Sequence, residues 1–203
     1  MKNHTIFCTH IILQEKDFKV VETRHAVETR HALSLLRGLS YFWHMQYQSS
    51  FNSPLGFLII KSDGQFITEI SFSESELQEQ KECEVLHKCK RQLADYFSGK
   101  SLAFDLPLNP EGTEFQKKVW AELLKIPYGE TITYMELAVR MGDAKAVRAV
   151  GTANGRNPIA IVIPCHRVIG AGNKLTGYAG GIWRKQLLLE LEMKHSIRKN
   201  SLF

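Results

Sequence analysis

The stretch Ile159-Ala-Ile-Val-Ile-Pro-Cys-His-Arg-Val168 is the most informative part of this sequence. It places a thiol, Cys165, beside the imidazole of His166, directly after the apolar run 159–163. A thiol is a nucleophile only when a base or a positive field removes its proton. Neighbouring Cys and His residues are common in proteins, so the surrounding sequence must decide what this pair does.

The composition predicts a folded globular protein. The chain has 203 residues, 44% of them hydrophobic, which suits one large domain or two small ones. No stretch approaches the roughly 20 consecutive apolar residues of a membrane span, and the start lacks the apolar centre of a signal peptide. We therefore expect a cytoplasmic protein (nuclear in a eukaryote) that has no membrane partner.

The cysteines and the charge distribution further limit the possible functions. Cys8, Cys83, Cys89 and Cys165 follow no spacing typical of secreted domains, so reduced thiols are expected. Between residues 140 and 200, eleven Lys and Arg stand against three acidic residues. This basic excess suits a polyanion such as nucleic acid, although a solvated surface is the commoner explanation of charge alone.

Residues 1–44 are poorly patterned, and we interpret them as an N-terminal extension. The hexamer Val-Glu-Thr-Arg-His-Ala occurs twice in tandem over 21–32, which is too few copies for a solenoid. An extension is favoured over a metal site at His25 and His31. Met45 is a candidate natural start.

Residues 45–106 predict a small sheet-plus-helix domain. Segments 51–60 and 66–72 have the pattern of two strands joined by an Asp-Gly turn. Residues 76–97 carry apolar side chains at mostly helical spacing and end at a Ser-Gly pair.

A zinc site on that helix is not expected. Cys83, His87 and Cys89 stand at positions i, i+4 and i+6, which do not share one helical face. The prediction is therefore that no metal is bound.

Residues 107–203 predict a mostly helical domain with a winged-helix-like helix-turn-helix. Capping boxes at 113–116 and 133–136 mark two helix starts. The second helix should end near Gly142, and a third should span 144–154.

The third helix is rich in small residues, with Ala146, Ala149 and Gly151 around Arg148. Such a helix can approach another surface closely. Packing on a neighbouring helix and insertion into a DNA groove, with the arginine reaching into the base stack, both fit the pattern.

Several ordered motifs resemble the O6-alkylguanine-DNA alkyltransferases of bacterial type, also called methylated-DNA–protein-cysteine methyltransferases. They are Ile126-Pro-Tyr-Gly-Glu-Thr131, Arg148-Ala-Val-Gly151, Ile163-Pro-Cys-His-Arg-Val168 and Gly177-Tyr-Ala-Gly-Gly181. The resemblance is close over 113–192, weaker over 45–105, and absent from 1–44. It implies an α/β (α+β) fold, with a ribonuclease H-like domain before a DNA-binding and alkyl-transfer domain.

The resemblance also implies a single-turnover DNA repair enzyme that needs no cofactor and binds double-stranded DNA as a monomer. It would move the alkyl group of O6-alkylguanine, and of O4-alkylthymine, irreversibly to its own Cys165. His166 would be the general base acting through a water, and Glu192 would orient His166. From the residues alone, Glu192 could equally be a solvated carboxylate on a terminal helix.

By the same resemblance, other residues handle the DNA and the base. Tyr134 would rotate the target nucleotide and donate a proton, Arg148 would fill the vacated stack, and Asn157 would hold the active-site turn. The residues expected in the minor groove are Ala146, Ala149 and Gly151. Those expected to line the base pocket are Val168, Tyr178, Ala179 and Gly180.

Two departures from some relatives, Ala160 and Ala179, leave the backbone donors and acceptors intact. Gly180 offers no side chain to narrow the pocket, so we expect alkyl groups larger than methyl to be tolerated.

Two other functions remain open. A non-catalytic, lesion-flagging alkyltransferase-like protein normally carries tryptophan in place of the nucleophile, so Cys165 argues against it. A cysteine hydrolase would use Cys165 and His166, but adjacent positions are atypical of such pairs and no oxyanion-hole pattern stands out.

Overall fold

The structure is a computed structural model that describes residues 46–200. The predicted extension 1–44, its duplicated hexamer and Met45 lie outside the described residues. No helix of the described part is long and apolar enough to cross a membrane.

The first elements form a three-stranded antiparallel sheet in the order β1 (Tyr47–Ser53), β2 (Gly56–Ser62) and β3 (Ile67–Ser73). The prediction of a single strand over 51–60 is therefore wrong. Pro54 cannot donate to a ladder, and Gly56 has a φ of 101°, so the chain reverses between them.

Helix α1 (Glu84–Ser98) packs against this sheet and ends, as predicted, at Gly99 in the left-handed conformation. It begins eight residues later than the predicted 76. The preceding segment is held against β1 instead, because Lys81 exchanges two backbone hydrogen bonds with Gln48 at 2.9 and 3.0 Å.

The second half is mostly helical. Its elements are α2 (Glu114–Leu123), β4 (Ile132–Thr133), α3 (Tyr134–Arg140), α4 (Val147–Gly155), β5 (Val168–Ile169) and α5 (Ile182–Asn200). Both predicted capping boxes are complete, and Gly142, with a φ of 89°, separates α3 from the next helix. The helix-turn-helix and the α/β class predicted from the sequence are confirmed.

One boundary differs from the sequence prediction. The third helix of this region begins as a 3-10 turn (Ala144–Ala146), where the Asp143 side chain accepts from the backbone of Lys145. The last helix, α5, runs past Glu192 to Asn200.

Strand β3 joins the two halves of the molecule. The backbone N–H of Ile70 donates to Pro158 at 2.9 Å, and the N–H of Ala160 donates back to Ile70 at 2.9 Å. The apolar run before Cys165 pairs with β3 only at Ile159 and then turns. Its apolar character reflects burial, since Ile159, Ile161 and Ile163 are all buried.

The capping box at the start of α3 gives a stability test. The Thr133 hydroxyl accepts from the N–H of Glu136 at 3.1 Å. We expect Thr133→Ala to lower the free energy of unfolding by about 1 kcal/mol in urea denaturation. Thr131→Ala, at an exposed position just before β4, should change it by less than about 0.5 kcal/mol; equal losses would contradict the cap.

Candidate active site

Cys165 opens a buried 3-10 turn (Cys165–Arg167) that follows two very tight turns. The N–H of Val162 donates to Ala160 at 2.8 Å, and the N–H of Cys165 donates to Ile163 at 2.8 Å. Ile161, between the first pair, has a φ of 71°. A positive φ is costly for a β-branched residue, so surrounding contacts must hold this turn in place.

Asn157 supplies the contacts that hold the turn. Its amide oxygen accepts from the N–H of Ile159 at 3.0 Å, and its amide nitrogen lies 2.8 Å from the carbonyl oxygen of Ile163. The same nitrogen lies 3.1 Å from Sγ of Cys165. One side chain therefore bridges the start of the turn, its end and the thiol.

His166 and Glu192 meet in the interior, both with fully buried side chains. Nε2 of His166 lies 2.8 Å from Oε1 of Glu192. Arg167 binds the same carboxylate with two parallel hydrogen bonds, each 2.9 Å long. A bidentate arginine fixes the orientation of a carboxylate, and the carboxylate in turn fixes the ring of His166.

Two more donors reach Glu192 from outside the active-site turn. The Tyr96 hydroxyl of α1 donates to Oε1 at 2.7 Å, and the Gly129 N–H donates to Oε2 at 3.0 Å. Sequence reasoning did not assign roles to Tyr96 or Arg167. Both stand in segments that resemble the family, but no local signal shows that they meet Glu192.

Burial and hydrogen bonding act in opposite directions on these groups. Burial alone would raise the pKa of Glu192, but the hydrogen bonds and charges of His166 and Arg167 outweigh it and lower the pKa to about 2. Burial lowers the pKa of His166 despite the opposing effect of Glu192. The site therefore holds an ionised carboxylate beside a neutral imidazole at neutral pH.

Burial raises the pKa of Cys165, and the Asn157 amide and the charge of Lys185 only partly offset this. Lys185 is itself buried, and its ammonium group donates to the carbonyls of Val168 and Thr176 at 2.6 and 2.9 Å. Burial lowers the pKa of Lys185 to about 8. The thiol is therefore protonated at rest and needs a base to become a thiolate.

A cavity of about 330 Å³ opens at Cys165. Tyr178, Ala179 and Gly180 line it, as the sequence predicts for the base pocket, whereas Val168 is buried beneath and is not in the lining. A β-carbon added to Gly180 would lie 2.6 Å from Cδ2 of Phe72. The missing side chain at Gly180 therefore leaves no open space, because the ring of Phe72 occupies it.

Tyr134 is the first residue of α3, and its hydroxyl reaches the loop of residues 176–181. We call this loop, which lines the cavity, the pocket loop. The Tyr134 hydroxyl lies 3.4 Å from the carbonyl oxygen of Thr176, and a β-carbon on Gly151 would lie 3.6 Å from the Tyr134 ring. On the next helical segment Arg148 and Ala149 are exposed, while Ala146 is half-buried. The exposed Arg148 therefore stands among small residues on this segment.

The geometry suits a displacement reaction in which the Cys165 thiolate attacks a small group bound in the cavity. Cys165 lines the cavity, and the next residue, His166, is paired with the ionised carboxylate of Glu192. Among residues 46–200 no three His, Cys, Asp or Glu side chains form a metal-binding group.

Family models match the two halves of the chain in turn. Residues 46–110 match the 6-O-methylguanine DNA methyltransferase, ribonuclease-like domain, and residues 114–194 match its DNA binding domain.

Curated relatives and solved structures are similar over most of their length. The methylated-DNA–protein-cysteine methyltransferase of Methanosarcina acetivorans is 48% identical over 152 residues, covering 72% of this chain and 97% of the relative. The Haemophilus influenzae protein of the same name is 46% identical over 153 residues, covering 72% of this chain and 86% of the relative.

Among solved structures, Mycobacterium tuberculosis OGT in complex with DNA is 47% identical with a TM-score of 0.68, covering 73% of this chain and 93% of that one. The M. tuberculosis O6-methylguanine methyltransferase is 45% identical with the same TM-score of 0.68, covering 74% of this chain and 94% of that one. From this similarity across both halves, the chain belongs to the methylated-DNA–protein-cysteine methyltransferase family.

Proposed function

We propose that this protein repairs DNA by moving the alkyl group of O6-alkylguanine, and of O4-alkylthymine, irreversibly to its own Cys165. The proposal rests on the Cys165 thiol, which lines the cavity, and on the buried pair formed by Glu192 and the next residue in the chain, His166. Relatives that share both halves of the chain are named as methylated-DNA–protein-cysteine methyltransferases.

The chemistry requires removal of the thiol proton. Nε2 of His166 is bonded to Glu192, so Nδ1 is the ring nitrogen left to accept the proton of Cys165 through a bridging water. The ionised carboxylate of Glu192 then stabilises the imidazolium that forms.

The displacement itself balances without a cofactor. Sγ of Cys165 forms a bond to the alkyl carbon as the bond from that carbon to O6 breaks. O6 regains its carbonyl form while a ring nitrogen of the guanine gains a proton, for which the Tyr134 hydroxyl is our proposed donor. The thioether on Cys165 remains, so one molecule repairs one lesion.

A base stacked in a duplex cannot reach the thiol, because Cys165 is buried. The target nucleotide must be flipped out, at a cost of roughly a few kcal/mol. The exposed Arg148 is suited to fill the vacated stack, and the small residues beside it permit close approach to the minor groove. The monomeric state and the cytoplasmic location stay predictions from the sequence.

Intact mass measures the transfer directly. Incubation with a duplex carrying O6-methylguanine should add a single methyl group, and peptide mapping should place it on Cys165. Cys165→Ser should gain nothing. Tight binding without a mass change in the unaltered protein would instead favour the lesion-flagging function, and turnover of an ester would favour a hydrolase.

Removing the carboxylate tests the proton relay. Glu192→Gln should slow methyl transfer by about 10²-fold at pH near 7, because His166 becomes a poorer base. The deficit should shrink as the pH rises towards the raised pKa of the Cys165 thiol, because the thiolate then forms without help from His166. Single-turnover rates across this range measure it, with Glu190→Gln on the exposed side of α5 as the matched control. A deficit that is constant with pH would contradict the relay.

The role of Arg148 is tested by comparing DNA substrates. Arg148→Ala should slow transfer from a duplex by about tenfold, since a stabilising contact of the flipped state is lost. It should change transfer from the same single strand much less, because no pair has to be broken. Arg91→Ala, an exposed arginine on α1, serves as the control. Equal losses on both substrates would rule out the flipping role.

A further inference from the structure

We propose that Phe72, from the N-terminal sheet, is the side chain that limits the size of the alkyl group admitted beside Cys165. This inference rests on the proposed alkyl transfer and adds a specificity-determining residue from the other half of the chain. Phe72 lines the same cavity as Cys165 and Tyr178.

The ring of Phe72 forms the part of the cavity wall next to Gly180. It meets the ring of Tyr178 edge to face, with centroids 6.3 Å apart and planes at 64°. Its Cδ2 and Cε2 atoms would lie 2.6 and 2.8 Å from a β-carbon on Gly180. The two aromatic rings and the glycine are therefore in contact, and no slot remains between them for a further ring.

Backbone pairing fixes where Phe72 stands. Ile70, two residues earlier on the same face of β3, exchanges backbone hydrogen bonds with Pro158 and Ala160, which lead into the Cys165 turn. On its other side Phe72 pairs with Leu58 in the register of β2. The backbone at Phe72 is therefore held at a set position beside the Cys165 turn.

A buried arginine, Arg184, packs against the ring of Phe72 and also lines the cavity. The guanidinium carbon of Arg184 lies 4.7 Å from the centroid of Phe72. Arg184 also donates to the carbonyl of Leu55 at 2.9 Å, in the turn between β1 and β2, and to the carbonyl of Gly180 at 2.9 Å. It also lies 3.4 Å from Glu74 and 4.4 Å from the ring centroid of Trp183. Arg184 thus links the N-terminal sheet to the pocket loop.

A larger alkyl group must displace this ring, because the space beside Gly180 is already filled. A methyl group needs little room beside Cys165. A benzyl group on the same O6 atom needs much more, in a cavity whose lining includes Phe72, Tyr178 and Gly180. Size selection is therefore a property of the contact between the two halves of the chain.

The test compares two lesions in one duplex sequence, O6-methylguanine and O6-benzylguanine, by single-turnover rate constants for the full chain. Phe72→Ala should raise the ratio of the benzyl rate to the methyl rate by about tenfold, the scale of a pocket that gains room for several carbons. Phe72→Trp should lower the ratio, with methyl transfer retained. Phe51→Ala is the matched control, because Phe51 lies in the same sheet but stacks on Phe97, away from the cavity.

The possible outcomes separate this inference from the proposed function. An unchanged ratio in both Phe72 variants, with methyl transfer intact, would overturn the inference and leave the function standing. So would an equal rise in Phe51→Ala, which would indicate general loosening of the sheet. If Phe72→Ala does not fold, Phe72→Leu and Phe72→Trp must still move the ratio in opposite directions. Absence of methyl transfer in the unaltered protein would instead contradict the proposed function itself.

Discussion

The buried carboxylate of Glu192 is the constraint on which the rest of the site depends. It accepts five hydrogen bonds from four residues, which are His166, Arg167, Tyr96 and Gly129. An ionised carboxylate in a protein interior is very costly unless every lone pair is satisfied and a positive charge is near. Here the same contacts that make burial possible also orient the imidazole, so the stability of the site and its chemistry share one arrangement.

The two halves of the chain are joined at the places where the site needs them. The Tyr96 hydroxyl on α1 donates to the carboxylate of Glu192, and β3 pairs with the segment that leads into the Cys165 turn. Phe72 follows on the same strand and meets the base pocket. The N-terminal half therefore contributes to the candidate active site, with α1 in contact with the proposed proton relay and β3 in contact with the cavity.

Local signals predicted the second half well and the first half less well. Both capping boxes and the helix-breaking Gly142 depend on a few consecutive residues, and their helices begin and end close to the predicted positions. The errors fall where tertiary contacts override local pattern. The segment before α1, for example, pairs with β1 rather than extending the helix.

The sequence by itself determined the family and indicated Cys165 and His166 as the candidate reactive pair, because these residues and the motifs around them are contiguous and ordered. It also predicted the helix-turn-helix, because capping residues and glycines mark where its helices begin and end. Only the tertiary structure decided that Glu192 accepts a hydrogen bond from Tyr96, 96 residues earlier in the chain, and that Phe72 fills the space beside Gly180. Such contacts depend on how strands and helices pack in three dimensions, and no spacing within the sequence specifies that packing.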